Sequence, residues 1–260
     1  MPLPACQGRW LLPLLFLILA RPASLTAATW PDEYQNGPFL FHADFPMAEH
    51  RALLDSLPHL QAQLGYLLGI QPSHEPIYVF LFARRRTYEA YLKKHFPTAP
   101  VRKALFIKGR GPGMVFVYRG DNFAVDLRHE ATHAILNSAL PVVPLWLDEG
   151  LAEYFEIPAE RRRHGSHHLR PVRLAAWVGK VPSLEDLEQR GQMTEMGRTE
   201  YRNAWAWVHF LLHGPPTARA ELRSYLADIQ ALTPPGQLSQ RLRAQLPDLE
   251  RLFAEHFRNW

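Results

Sequence analysis

A histidine, a glutamate and a second histidine stand at positions 129, 130 and 133, spelling H-E-x-x-H within DLRHEATHAILN. Side chains four residues apart share one face of a helix, so His129 and His133 can offer two imidazole nitrogens to one zinc ion. Glu130, beside the first histidine, can reach a water on that ion and serve as its base. A catalytic zinc takes three protein ligands and keeps one position open. Glu149, in LDEGLAEYFE with fifteen residues between it and His133, is the natural third ligand. Gly150 beside it would let the second helix run close to the first. The sequence holds 13 histidines and a single cysteine, Cys6. A disulfide framework and a cysteine-based zinc finger are therefore excluded, and any metal falls to imidazole and carboxylate.

Those residues need a frame. The chain has 260 residues, 47% hydrophobic and 21% charged, enough to bury a sizeable core. That excludes a disordered tail, a collagen or a coiled coil. Arg9, an apolar run over 10–20, Arg21 and the small residues of PASLTAA read as a secretory signal peptide over 1–27, cut after Ala27 or Ala28. The run is shorter than the roughly 20 residues of a transmembrane helix. Cys6 precedes it, where no lipobox belongs, so the mature chain is thiol-free. The expected location is periplasmic or extracellular, with no transmembrane span in the mature chain. Subtracting Arg9 and Arg21 from 29 basic residues, against 25 acidic, leaves a balance of +2, which gives no reason to expect nucleic acid.

Apolar spacing predicts a helix over 47–68, a strand over 76–83, a helix over 86–96, and strands over 104–108 and 114–120 around a GRGPG turn. Helices follow over 123–138 and 147–156, and from about 166 onward every periodic stretch is helical. The expected class is α+β: a small mixed sheet carrying the H-E-x-x-H helix, then an all-helical part. Residues 28–75 form a helical lead-in, and 76–260 the main domain, divided near 160.

The segments HEATHAILN and PLWLDEGLAEYFE resemble the gluzincin, or peptidase MA-like, zinc metallopeptidases. More narrowly they resemble a bacterial domain family of unassigned role with the pattern HExxH…WLxEGLAxYFE. The likeness runs from 76–92 through 182–187 to 201–211, around half of the chain. It implies a zincin-like fold, one Zn²⁺ held by His129, His133 and Glu149, Glu130 as base, and a peptide or protein substrate. Two features depart from membrane alanyl aminopeptidases: the His-to-Glu spacing is shorter, and the GxMEN signature is absent.

The resemblance further implies that Glu153, four residues after Glu149, orients a ligand histidine; a solvated helix carboxylate is the alternative reading. A second donor to the oxyanion is sought in Tyr201 or His209, with packing as the plain alternative for each. Trp205 and Trp207 read as packing residues, Asp148 as a helix N-cap, and Asp126 as a solvated first-turn acid. The strand MVFVYRG could pair with an extended substrate as an edge. RRRHGSHH at 161–168 reads as a solvated loop; acidic substrates, an anionic envelope surface or a second metal are its rival uses. Arg84–Arg86 should end a strand in water. Two other functions fit the same motif: a catalytically silent zincin-like binding module, and a zinc amidohydrolase acting on a cell-wall amide.

Overall fold

The computed structural model describes residues 30–109 and 111–260; the expected signal peptide lies outside them. The fold is α+β, with one five-stranded mixed sheet and ten α-helices among the described residues. The strands are β1 (Asp32–Asn36), β2 (Phe39–Ala43), β3 (Ile77–Phe82), β4 (Ala104–Ile107) and β5 (Gly113–Tyr118). Their spatial order is β1-β2-β3-β5-β4; β2, β3 and β5 run parallel, and both outer strands pair antiparallel.

Two strands fall inside the stretch expected to be a helical lead-in. β1 and β2 form a hairpin whose two-residue loop begins with Gly37 at φ 57, a conformation that glycine supplies without steric cost. DEYQN lacks apolar alternation because β1 is a half-exposed edge, and its partner FLFHA is short. The Asn-Gly pair was the available signal. The second correction concerns MVFVYRG: β5 is paired on both sides, so its backbone groups are already used. The free edge on that side of the sheet belongs to β4.

Helix α1 (Arg51–Leu68) stops at Gly69, which takes a left-handed φ of 71. It lays Leu54, Leu57, Leu60, Leu64 and Leu68 into the core, each burial stabilising by about 1.5–3 kcal/mol. The sheet residues Phe41, Val79, Leu81, Val115 and Val117 meet this helix and α3 (Phe123–Ala139) on one face. On the other face Tyr88 and Leu92 of α2 (Arg85–His95) cover Phe82, Leu105 and Phe116. Arg84, Arg85 and Arg86 stand in water where β3 passes into α2, as expected.

Beyond α4 (Leu145–Phe155) come α5 (Leu169–Trp177), α6 (Leu184–Glu188), α7 (Arg198–His213), α8 (Pro216–Gln230), α9 (Leu238–Gln245) and α10 (Leu249–Asn259). They share one continuous core with the sheet. Trp205 and Trp207 are buried in it, as packing residues should be, and Trp207 Nε1 donates to Pro182 O at 3.1 Å. No helix among the described residues is long and apolar enough to cross a membrane.

Candidate metal centre

Helix α3 packs Leu127, Ala131, Ala134 and Ile135 inward, which turns Glu130 and His133 toward a cleft and His129 toward the recess beside it. Helix α4 brings Glu149 to the same place. Glu149 Oε2 lies 3.7 Å from His129 Nε2 and 3.7 Å from His133 Nε2. Their donor atoms all fall within 4.8 Å of one another, and Glu149 is nearly fully buried. Two imidazole nitrogens and a carboxylate oxygen, converging with no fourth donor in the group among the described residues, fit a zinc site with one open position.

The close helix approach that Gly150 permits is to α7, not to α3 as expected. A Cβ there would lie 2.7 Å from Ala204 O and 2.9 Å from Val208 Cγ2. Glycine thus lets α4 sit directly on the α7 backbone, and this seats the neighbouring Glu149.

Each of these two histidines has its other ring nitrogen against a carboxylate. His129 Nδ1 donates to Glu156 Oε2 at 3.0 Å, and His133 Nδ1 lies 2.9 Å from Asp148 Oδ1. The bond to Glu156 fixes the tautomer of His129 and leaves its Nε2 lone pair facing Glu149, and Asp148 lies against the same nitrogen of His133. Glu153 instead meets His168 Nε2 at 3.0 Å, although it stands close to His129 and Glu156. The place against His129 expected of Glu153 is therefore taken by Glu156, three residues on at the C-cap of α4. Asp148 is not an N-cap: Pro144 occupies that position, and Asp148 sits inside the first turn facing α3. Asn137 Nδ2 bonds His133 O at 2.9 Å and approaches Asp148 Oδ2 at 3.4 Å, tying the two helices together. Asp126 is not solvated; it is half-buried in the recess beside His129, and burial raises its pKa.

Burial alone would lower the proton affinity of His129, but the carboxylates of Glu149, 3.7 Å away, and Glu156, hydrogen-bonded at 3.0 Å, raise it well above the ordinary value. His133 is raised as well, by Asp148 and against its burial. Burial raises Glu130, with His129 and His133 pulling the other way. A carboxylate so placed is a stronger base than one in water.

Tyr201, in the first turns of α7, is half-buried near Glu149. Burial and the Glu149 charge push its pKa up to about 12, so the hydroxyl stays protonated. His209 is elsewhere. It is fully buried, with Nε2 donating to Arg163 O at 3.2 Å and Nδ1 3.0 Å from His256 Nε2. Its place on α7 faces α10, which removes it from the oxyanion role.

The cleft beside Glu130, His133 and Glu149 measures about 460 Å³ and is walled by Phe96, Leu105, Phe106, Leu145 and Met193. Arg102, on the loop entering β4, borders both this cleft and the recess around His129, and its carbonyl accepts from Tyr88 Oη at 3.0 Å. Sequence reading missed it, because an arginine in a polar loop carries no distinguishing spacing. RRRHGSHH is a solvated loop only in part: Arg161, Arg163, His164, Gly165 and His167 are exposed. Arg162, Ser166 and His168 are buried, and Arg162 bonds Ile157 O at 3.0 Å and Gln63 Oε1 at 2.9 Å.

Compared with known proteins, the chain matches no family model and no curated protein. Fold and site therefore have to be read from their own geometry.

Proposed function

We propose that this protein is an exported zinc-dependent metallopeptidase of the gluzincin type. The observation that carries the reading is the convergence of His129 Nε2 and His133 Nε2 on Glu149 Oε2, each at 3.7 Å, with Glu130 on the wall of the same cleft. Bound by those three side chains, a zinc ion supplies a Lewis acid for a carbonyl oxygen and brings the pKa of its water to about 7.

The residues around it have separate tasks. Glu130 accepts the proton of the attacking water and delivers it to the leaving amine, which its raised proton affinity suits. Tyr201 keeps its O–H across neutral pH and donates it to the developing oxyanion. The open edge of β4 receives the substrate backbone as an added strand, while the apolar wall at Leu105, Phe106 and Met193 takes a side chain.

The test is digestion of a mixed peptide library by the mature protein and by Glu130→Gln, read by mass spectrometry. Cleavage should fall about 10²–10⁴-fold in the variant while zinc stays at one equivalent. Full activity in Glu130→Gln would remove the mechanism. Zinc without cleavage of any peptide would identify a silent binding module, and cleavage confined to cell-wall amides an amidohydrolase.

A further inference from the structure

Helix α5 buries Val172 and Ala176 against its neighbours α7 and α10. Its other side has no partner among the described residues. Leu174, Trp177 and Val178 are 69%, 64% and 71% exposed. With Arg170 and Arg173 they follow the spacing i, i+3, i+4, i+7, i+8, which is one face of a helix. A contiguous apolar patch of this kind, rimmed by charge, marks an interaction surface.

The charge along this segment has one sign. From Arg161 through Leu184 the chain holds six Arg or Lys and no Asp or Glu. Arg170, Arg173 and Lys180 have no hydrogen-bonded or ion-paired carboxylate among the described residues. The adjoining recess is lined by Lys180, Arg202 and Asn203 with no acid. Arg258 of α10 joins them, its Nε donating to Ala176 O at 2.8 Å.

We infer that this face docks the protein on an anionic phospholipid surface, with Trp177, Leu174 and Val178 entering the interface and the arginines over the headgroups. The pairing of features selects the partner. An anionic polymer would satisfy the cations and leave the indole and the two aliphatic side chains in water. A lipid surface engages both, since tryptophan settles at the headgroup level and each cation near an anionic leaflet adds about a fivefold gain in binding. The inference is independent of the metal chemistry.

Sedimentation of the mature protein with vesicles tests it. Phosphatidylglycerol–phosphatidylcholine vesicles should bind the wild type, pure phosphatidylcholine far less, and binding should weaken with added salt. Trp177→Ser and Leu174→Ser should each lose about tenfold or more, and Arg170→Gln with Arg173→Gln about tenfold or more on the anionic vesicles alone. All four side chains are surface-facing, so thermal melts should match the wild type and separate lost docking from lost fold. Equal binding by the serine variants, or no preference for the anionic lipid, overturns the inference. Binding to heparin that matches the vesicles and ignores Trp177→Ser overturns it in favour of a polyanion.

Discussion

Two groups of histidines in this molecule are built from the same side chain and hold protons in opposite ways. His129 and His133 lie between α3 and α4, each with a carboxylate on Nδ1, and their proton affinity is raised. His209, His213 and His256 lie between α7 and α10, packed on Trp260. Among the described residues no carboxylate bonds to any of these three. Burial lowers His213 and His256 to about 4, and burial with the neighbouring imidazoles lowers His209 to about 2. The hydrogen bonds around His209 leave no place for a second proton. Arg163 O can only accept, so His209 carries its proton on Nε2 and must accept from His256 on Nδ1. A second proton on His209 would set two N–H groups against each other. Carboxylate partners thus raise the proton affinity of a buried histidine, whereas burial against carbonyl, hydroxyl and imidazole partners keeps it neutral.

The largest effect expected from this difference is on the metal. His133→Ala should lose stoichiometric zinc, measured by atomic emission after gel filtration, while His209→Ala should keep one equivalent. The second variant should instead unfold more easily, by about 2–4 kcal/mol, because it leaves a cavity and an unmatched His256 donor. Zinc loss in His209→Ala with an unchanged melting temperature would break the comparison.

Acid should separate the groups next. His213 and His256 have folded pKa values below the unfolded 6.5, so the unfolded chain binds more protons between pH 6.5 and about 4. Stability is therefore present above pH 6.5 and falls as pH drops through that window, by about 1–2 kcal/mol per histidine at pH 5. The metal-site histidines have the opposite sign in the zinc-free protein: their raised affinity adds stability below 6.5, and that contribution is lost as pH rises. Zinc held there would reverse this, since protons and metal compete for the same nitrogens. The increase in melting temperature on adding zinc should accordingly shrink from pH 7.5 to 5.5. An increment independent of pH would contradict the placement of metal on His129 and His133.

How much of this was legible beforehand depended on the range of each interaction. His129, Glu130 and His133 are set by the period of one helix, and Glu149 by a second helix a short loop away, so spacing sufficed to name them. The α+β class and three of the strands were legible for the same reason. β1 was not, because an edge strand half in water shows little alternation. His209 illustrates the opposite limit. Its flanking residues reveal that it is buried, but its partner His256 lies 47 positions further on, and only packing brings them together. Arg162 and His168 looked solvated as a run of charge, yet each finds a partner far from its neighbours in sequence: Gln63 for one, Glu153 for the other.

The smallest predicted effect concerns that last pair. Glu153 and Glu156 follow Glu149 by four and seven residues, so both lie on one face of α4, and periodicity cannot choose between them. The choice is made by the 161–168 segment, which presents His168 Nε2 to Glu153 at 3.0 Å and leaves Glu156 for His129. The pairing shows in their proton affinities. Burial pushes both carboxyls up, but the hydrogen bond from His168 brings Glu153 below its ordinary value, while Glu156 stays above. Glu156→Ala should weaken zinc by about 10–100-fold, the usual cost of losing a carboxylate behind a ligand histidine. Glu153→Ala should change zinc affinity less than about threefold, because its direct partner is not a ligand. Competitive titration with a chelating dye measures both. Equal losses would mean that the two carboxylates act as one unit on His129, and that His168 reaches the metal through Glu153 after all.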